Sequence, residues 1–271
     1  MLFLEKVELA VQICLWSGYV KGERPINLIL IAEPEHGKTE VIQKYAELNY
    51  PGVMVQNDMT VSGIRNSLVE IKEGRTRHIA ILDFIKVLNR SKSAADNFVT
   101  MLNSLIEEGI LSVNIYGFNF KSEFPVRCGL ITSATPWLYR SRKSKWIGMG
   151  FISRCIPMSW SYSDLQAQKI RDYIKKGIYC CDKPVKIRFP KKSVDVEIDE
   201  NYMNQVESIS RTLGIQTFTH GFRYLKHLRV MLKAHALMTA KTKTKVKVSQ
   251  KDVDAVLGIA SWFNLKGNVI E

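Results

Sequence analysis

Two short stretches carry the residues best suited to chemistry. Leu28 to Ile42 reads LILIAEPEHGKTEVI, an aliphatic run, a polar turn, Gly37-Lys38-Thr39 and then a helical pattern. Further on, HIAILDF (His78 to Phe84) brings an apolar run up to Asp83. A loop that holds phosphate wraps the oxygens with backbone N–H groups, reaches the outer ones with a lysine and sets a Ser/Thr hydroxyl on Mg2+. Here the cradle would be Ala32, Glu33, Pro34, Glu35, His36, Gly37, Lys38, Thr39 and Glu40. Thr39 would ligate the metal and Asp83 would hold its water shell. A GKT after an apolar run also arises by chance, and an aspartate at a strand end is often a turn-former. Their separation by one strand and one helix favours the paired, chemical reading.

Two departures from the pattern matter. Ala32 stands where G-x-x-x-x-G-K-[ST] begins with glycine. Alanine is the smallest residue with a Cβ, and Pro34 helps fix the turn. Phe84 follows Asp83 where a glutamate would polarise the attacking water, and phenylalanine can neither accept a proton nor orient water. Either another carboxylate serves, with Glu33, Glu35, Asp58 and Glu107 as candidates, or hydrolysis is slow or absent. His36 has two readings, a donor to a phosphate oxygen and an exposed loop side chain. The other histidines, His78, His220, His227 and His235, form no zinc pattern, and His78 reads as structural.

The elements that must position these residues alternate. Asn27–Ala32, Pro51–Gln56, His78–Phe84 and Arg127–Thr132 read as strands; Glu40–Leu48, Val61–Glu73 and Ala94–Glu108 read as helices. ILSVNIYGFNF (Ile110 to Phe120) alternates and turns at Gly117, a hairpin. Such alternation implies a parallel sheet with helical crossovers. MLFLEKVELAVQICLW reads as an amphipathic helix and a poor signal peptide, because Glu5 and Glu8 interrupt its apolar run. From Ser161 the character changes: a helix over Ser163–Tyr179, an extended basic connector KPVKIRFPKKS, then helical periodicity from Asn201 onward. Ser249 and Asp252 form a capping-box variant before the last helix. The expected division is residues 1–160 as a nucleotide-binding core and 161–271 as a linker and helical domain.

The 271 residues carry a formal net charge of +13, which favours a polyanionic partner, usually nucleic acid. No apolar run approaches the roughly 18 residues that span a bilayer, so no membrane association is expected. The five cysteines lack metal-ligand spacing, Cys180 and Cys181 being adjacent, and read as reduced thiols of a cytoplasmic protein.

Beyond Asp83, the stretches NFVTMLNSLIEEGILSVNIYGFNF, VRCGLITSATP and GFISRCIPMSW resemble AAA+ ATPases of the branch with the minichromosome maintenance helicases and MoxR-type proteins. The resemblance spans roughly residues 25–262. It implies a P-loop NTPase fold, a three-layer α/β core with a parallel sheet followed by a C-terminal α-helical lid. It implies ATP and Mg2+ as cofactors, and Thr135, before Pro136, as a sensor of the γ-phosphate, with Thr132 and Ser133 close by in register. Arg154 in ISRC matches an arginine finger that reaches a neighbouring subunit's nucleotide, which implies a homo-oligomeric ring or filament. Arg223, in GFRYLKHLRVMLKAHALM, resembles the lid's sensor-2 arginine. Ala32, Phe84 and Thr135, in place of the commoner asparagine, depart from the family pattern and bear on catalysis more than on fold.

Three segments offer a surface to nucleic acid, DNA being the expected form. The hairpin presents Asn114, Tyr116, Phe118 and Lys121, whose aromatics either stack on bases or pack against the sheet. YRSRKSKW places Arg140, Arg142, Lys143 and Lys145 between Tyr139 and Trp146 and reads as a loop. KTKTKVKV alternates Lys241, Lys243, Lys245 and Lys247; such runs are also ordinary solvated faces. The leading expectation is an oligomeric DNA-acting ATPase of helicase, translocase or loader type that borrows specificity from a protein partner. The alternatives are a nucleotide-dependent switch with little or no turnover, and a basic scaffold whose loop is vestigial.

Overall fold

The computed structural model describes residues 2–177, 183–242 and 244–263. Cys180, Cys181, Tyr179 and Lys243 lie outside the described residues. In chain order the elements are α1 (Glu5–Ser17), β1 (Leu28–Ile31), α2 (Lys38–Ala46), β2 (Gly52–Gln56), α3 (Val61–Lys72), β3 (Thr76–Ile81), α4 (Phe84–Leu88), α5 (Lys92–Asn103), β4 (Ile110–Ile115), β5 (Phe118–Val126), β6 (Gly129–Ala134) and α6 (Pro136–Gly148). Then follow β7 (Ile156–Ser159), α7 (Asp164–Lys175), β8 (Val196–Glu197), α8 (Glu200–Gln216), α9 (Phe222–Thr239), β9 (Val246–Lys247) and α10 (Gln250–Ala260).

Five of the strands form one parallel sheet in the order β2-β3-β6-β1-β7. The central strands β1 and β6 are buried along their whole length, as parallel strands covered on both faces must be. Register places Leu28 beside Ile131 and Ile156, and Ile31 beside Ala134 and Ser159. Every strand therefore ends on the same edge of the sheet, where β1 runs into the Ala32–Gly37 loop and β3 into Asp83. Two side-chain links tie that edge together: Thr132 donates to the Ile81 carbonyl at 2.9 Å, and Ser133 to the Leu82 carbonyl at 2.8 Å.

The strand β7 was not expected from the sequence, being four residues long with Pro157 inside it. It lies at the sheet's edge, where a proline without a donor N–H is tolerated. The basic stretch YRSRKSKW is a helix, not a loop. Thr135 caps α6 by accepting from Leu138 N, Pro136 opens it, and Tyr139 and Trp146 are buried in the core. The sequence pattern also carries β3 too far, since the strand ends at Ile81 and Phe84 opens α4.

Gly129 must be glycine for a reason of close approach: a Cβ there would lie 2.3 Å from the buried His78 ring. The C-terminal helices α8, α9 and α10 pack together, and α9 and α10 also pack on α1, so the N-terminal helix lies between them and α2. Within this unit His235 Nδ1 and the Asp252 carboxylate meet at 2.7 Å, while Ser249 N donates to Asp252 at 2.8 Å. The connector over residues 183–193 has no helix or strand and crosses α2, with Val185 N bonded to the Lys44 carbonyl and Phe189 stacked on Tyr19. No helix among the described residues is long and apolar enough to cross a membrane.

Candidate functional site

At the C-terminal edge of the sheet the chain leaves β1, turns through Ala32–Gly37 and enters α2 at Lys38. Ala32 answers for its own substitution. It is buried, its N–H reaches the Ala134 carbonyl of β6, and its backbone keeps a negative φ, so the methyl group fills core space. The demanding positions are later in the turn. Gly37 has φ 73° and Glu35 has φ 65°, both in the left-handed region. Glycine adopts that region freely, whereas an L side chain there costs roughly 1–2 kcal/mol. Glu35 is thus a second departure from a glycine-rich loop, and only its backbone angle reveals it.

Lys38 Nζ donates to the carbonyls of Ala32 and Glu33, both at 2.6 Å, which folds the side chain over the loop's own backbone. Partial burial lowers the Lys38 pKa, against the opposing pull of Glu33 and Glu40. The loop is braced from outside by residues no motif marks. Trp160 Nε1 donates to the His36 carbonyl at 3.2 Å, and the His36 ring stacks on Tyr162 at 4.7 Å. His36 Nδ1 also lies 2.9 Å from the Pro34 carbonyl, so the imidazole is occupied in holding the turn. Burial raises the Tyr162 hydroxyl to about 12, with Glu40 and Glu5 adding to the shift. The sequence signal for this brace, an aromatic pair two residues apart after an unrecognised strand, is too weak to find alone.

Asp83 stands at the tip of β3, two strands from β1 with β6 between them. Its carboxylate is half-exposed, with Lys86 Nζ 3.9 Å away. Thr135 occupies the tip of β6, so the structure sets Lys38, Thr135 and Asp83 on successive strand ends of one edge. Thr132 and Ser133 spend their hydroxyls on β3, which leaves Thr135 as the hydroxyl at that strand's end. Phe84 faces the other way. It is fully buried, with ring centroids 5.8 Å from Trp146 and Phe151 and 6.4 Å from Phe98. Burying such a ring is worth about 1.5–3 kcal/mol, so this position serves the core.

Chemically the residues suit a magnesium-bound triphosphate. A lysine with two carbonyl bonds and a helix N-terminus share the edge with a strand-tip carboxylate two strands away, and a divalent ion would offset the charge of Glu33, Glu35 and Glu40. Two open clefts lie elsewhere: one between α3 and α5 is lined by Arg65, Asn97 and Ser104, and the other borders Arg77 and Arg127.

Arg154 and Arg223 are not at this edge. Arg154 lies just before β7, and Asn27, just before β1, donates to its carbonyl at 2.8 Å. That is the N-terminal edge of the sheet, a full strand length from the loop. Arg154 is 9% exposed; its guanidinium donates to the Gly150 carbonyl at 2.7 Å and to Glu108 at 2.9 Å, and its Nε is buried without a partner. Arg223 donates to Ser153 at 3.0 Å and lies 3.7 Å from Glu107, which also pairs with Arg24. Arg223 thus sits with Arg154 at the edge opposite the Lys38 loop of its own chain. Glu107 lies at that same far edge, paired with Arg24 and Arg223.

The hairpin β4–β5 divides the two readings of its aromatics. Tyr116 is fully exposed at the turn beside Gly117, whereas Phe118 is half-buried against the core. Lys121 is exposed, and its carbonyl accepts from Lys72. On α6, Arg140 is exposed, Arg142 and Lys143 are half-buried, and Lys145 pairs with Asp96. Lys241 and Lys245 are exposed, and Lys247 pairs with Glu197 at 2.7 Å.

No protein-family model matches the chain, and no curated protein matches it. Among solved structures, the chain is similar to a full-length MCM homolog from Methanopyrus kandleri, with a TM-score of 0.54 and 13% identity. The match covers 100% of this chain and 57% of that one. At this identity the likeness is one of fold.

Proposed function

We propose that the chain is an AAA+ nucleotide-binding module that binds ATP with Mg2+ at the strand-tip edge and acts on DNA as part of a homo-oligomer. The reading is carried by Lys38, folded over the Ala32 and Glu33 carbonyls at the head of α2, with Asp83 two strands away on the same edge. Loop amides, Lys38 and Thr39 would hold the phosphates and metal, Asp83 the metal's waters, and Thr135 the outer phosphate. The fold shared with an MCM homolog supports the DNA-directed form, as does the net charge of +13. Arg154 and Arg223 would serve a neighbouring copy's nucleotide, Arg154 leaving Glu108 to do so. Tyr116, Lys121 and the basic face of α6 are the surfaces proposed for single-stranded DNA, with salt-dependent, sequence-independent contact.

The test is phosphate release with and without single-stranded DNA, together with oligomer size with and without ATP. DNA-stimulated release that Arg154→Ala abolishes, with ATP-dependent assembly, supports the reading. A monomer insensitive to ATP and DNA contradicts it. Replacing Tyr116 with alanine should weaken DNA binding by about 1–3 kcal/mol without altering the melting temperature. The buried Phe84 favours one second reading, a switch that binds ATP with little turnover. Tight ATP binding with no phosphate release in any assembly state would select it.

A further inference from the structure

The buried Phe84 leaves the attacking water without its usual partner, and the strand edge shows which carboxylate can replace it. Hydrolysis of a triphosphate needs the nucleophile in line with the leaving oxygen, on the side of the outer phosphate away from the rest of the chain. The loop at β1 would hold the inner phosphates, so the water belongs beyond Asp83, toward β2. Glu33 and Glu35 lie in the loop itself, on the wrong side, and Glu107 is at the opposite edge. Asp58 remains. It follows β2, which pairs with β3 in parallel, Gln56 beside Ile81, and Leu82 N donates to the Gln56 carbonyl at 3.0 Å. Neighbouring strands are about 4.8 Å apart, so the Asp58 strand is about 5 Å past the Asp83 strand.

Asp58 is also built in rather than loose. Arg90 Nη2 donates to its Oδ2 at 2.7 Å, Arg90 Nη1 donates to the Met59 carbonyl at 2.7 Å, and Met59 N donates to Oδ1 at 2.8 Å. The carboxylate is about half-exposed, so each oxygen keeps room for a further donor. The Arg90 guanidinium fixes the direction in which the carboxylate points. That suits phosphoryl transfer, whose loose transition state demands an oriented water more than a strong base.

We infer that Asp58, fixed by Arg90, orients the water that attacks the outer phosphate, taking the role Phe84 has given up. This rests on the ATP-binding reading above. The water oxygen bonds to the outer phosphorus as the bridging P–O bond breaks, and the electron pair stays on ADP. The water's proton passes to Asp58 and on to the released phosphate.

The test uses the full chain and three readouts: ATP affinity, phosphate release, and the nucleotide retained after incubation. Asp58→Asn should bind ATP within about threefold of wild type and release phosphate about 10²-fold more slowly. It should retain ATP where wild type retains ADP. Arg90→Lys should fall between the two. Asp58→Asn turnover within threefold of wild type would overturn the inference, as would a wild type that binds ATP and never hydrolyses it. A wild type that binds no ATP would instead remove the reading beneath it. Unchanged melting of Asp58→Asn separates a catalytic loss from an unfolded loop.

Discussion

The two edges of the central sheet are built on opposite principles. At the C-terminal edge the polar groups are only partly committed: Lys38 rests on two loop carbonyls, Asp83 is half-exposed, and Glu35 holds a backbone angle that does not suit it. At the N-terminal edge the charges are closed on one another. Arg154 meets Glu108 and Gly150, while Glu107 receives Arg24 and Arg223 and lends its carbonyl to Arg127. Under the proposed function, loosely held groups suit an edge that would exchange partners during a nucleotide cycle. If the other edge meets a neighbour on assembly, as proposed, the same arginines would serve the chain's own stability until then.

The largest effect expected from that contrast is a crossed pair of substitutions. Arg154→Ala removes a buried guanidinium with two hydrogen bonds and should cost about 2–3 kcal/mol of stability by denaturant unfolding, leaving ATP binding by the monomer unchanged. Lys38→Ala should do the reverse, since its partners are carbonyls with spare lone pairs. If Arg154→Ala melts like wild type, the closed network is not structural and the contrast breaks.

Acid should act on the same edge. Burial pushes His78 down to about 3 and His227 down to about 4, and both lie on the side of Arg154 or the starts of the strands. Each is neutral when folded and takes up a proton when unfolded below its ordinary value near 6.5, so the unfolded state binds more protons. Stability should therefore fall as pH drops from about 6.5 toward 4, by at most about 1.4 kcal/mol per pH unit for each histidine. His227→Gln should flatten that slope in unfolding titrations between pH 7 and 4.5. A slope equal to that of wild type would place the acid sensitivity elsewhere.

The smallest effect sharpens the other edge. Glu35→Gly should relieve the left-handed strain and remove a carboxylate from the loop, stabilising the fold by about 1 kcal/mol and tightening ATP several-fold. A loosened loop with weaker ATP binding would show that the Glu35 side chain is itself a contact.

This contrast also explains what the sequence alone could carry. The strand, loop and helix around Lys38, the strand before Asp83 and the hairpin at Gly117 are local patterns, and local pattern is what periodicity reports. Phe84 was visible as an anomaly, but its cause, the cluster with Trp146, Phe151 and Phe98, joins residues far apart in the chain. α6 looked like a basic loop because its charges dominate, although Tyr139 and Trp146 lie seven residues apart on its buried side. The location of Arg223 beside Arg154 depends on how α9 packs against the turn before β7, which no spacing in the sequence encodes.

The most direct measurement is an equilibrium titration of the full chain with ATP and Mg2+, run beside Lys38→Ala. Wild type should show saturable, magnesium-dependent binding, weakened at least ~100-fold in a Lys38→Ala variant that melts normally. Equal binding by both proteins, or none by either, would contradict it.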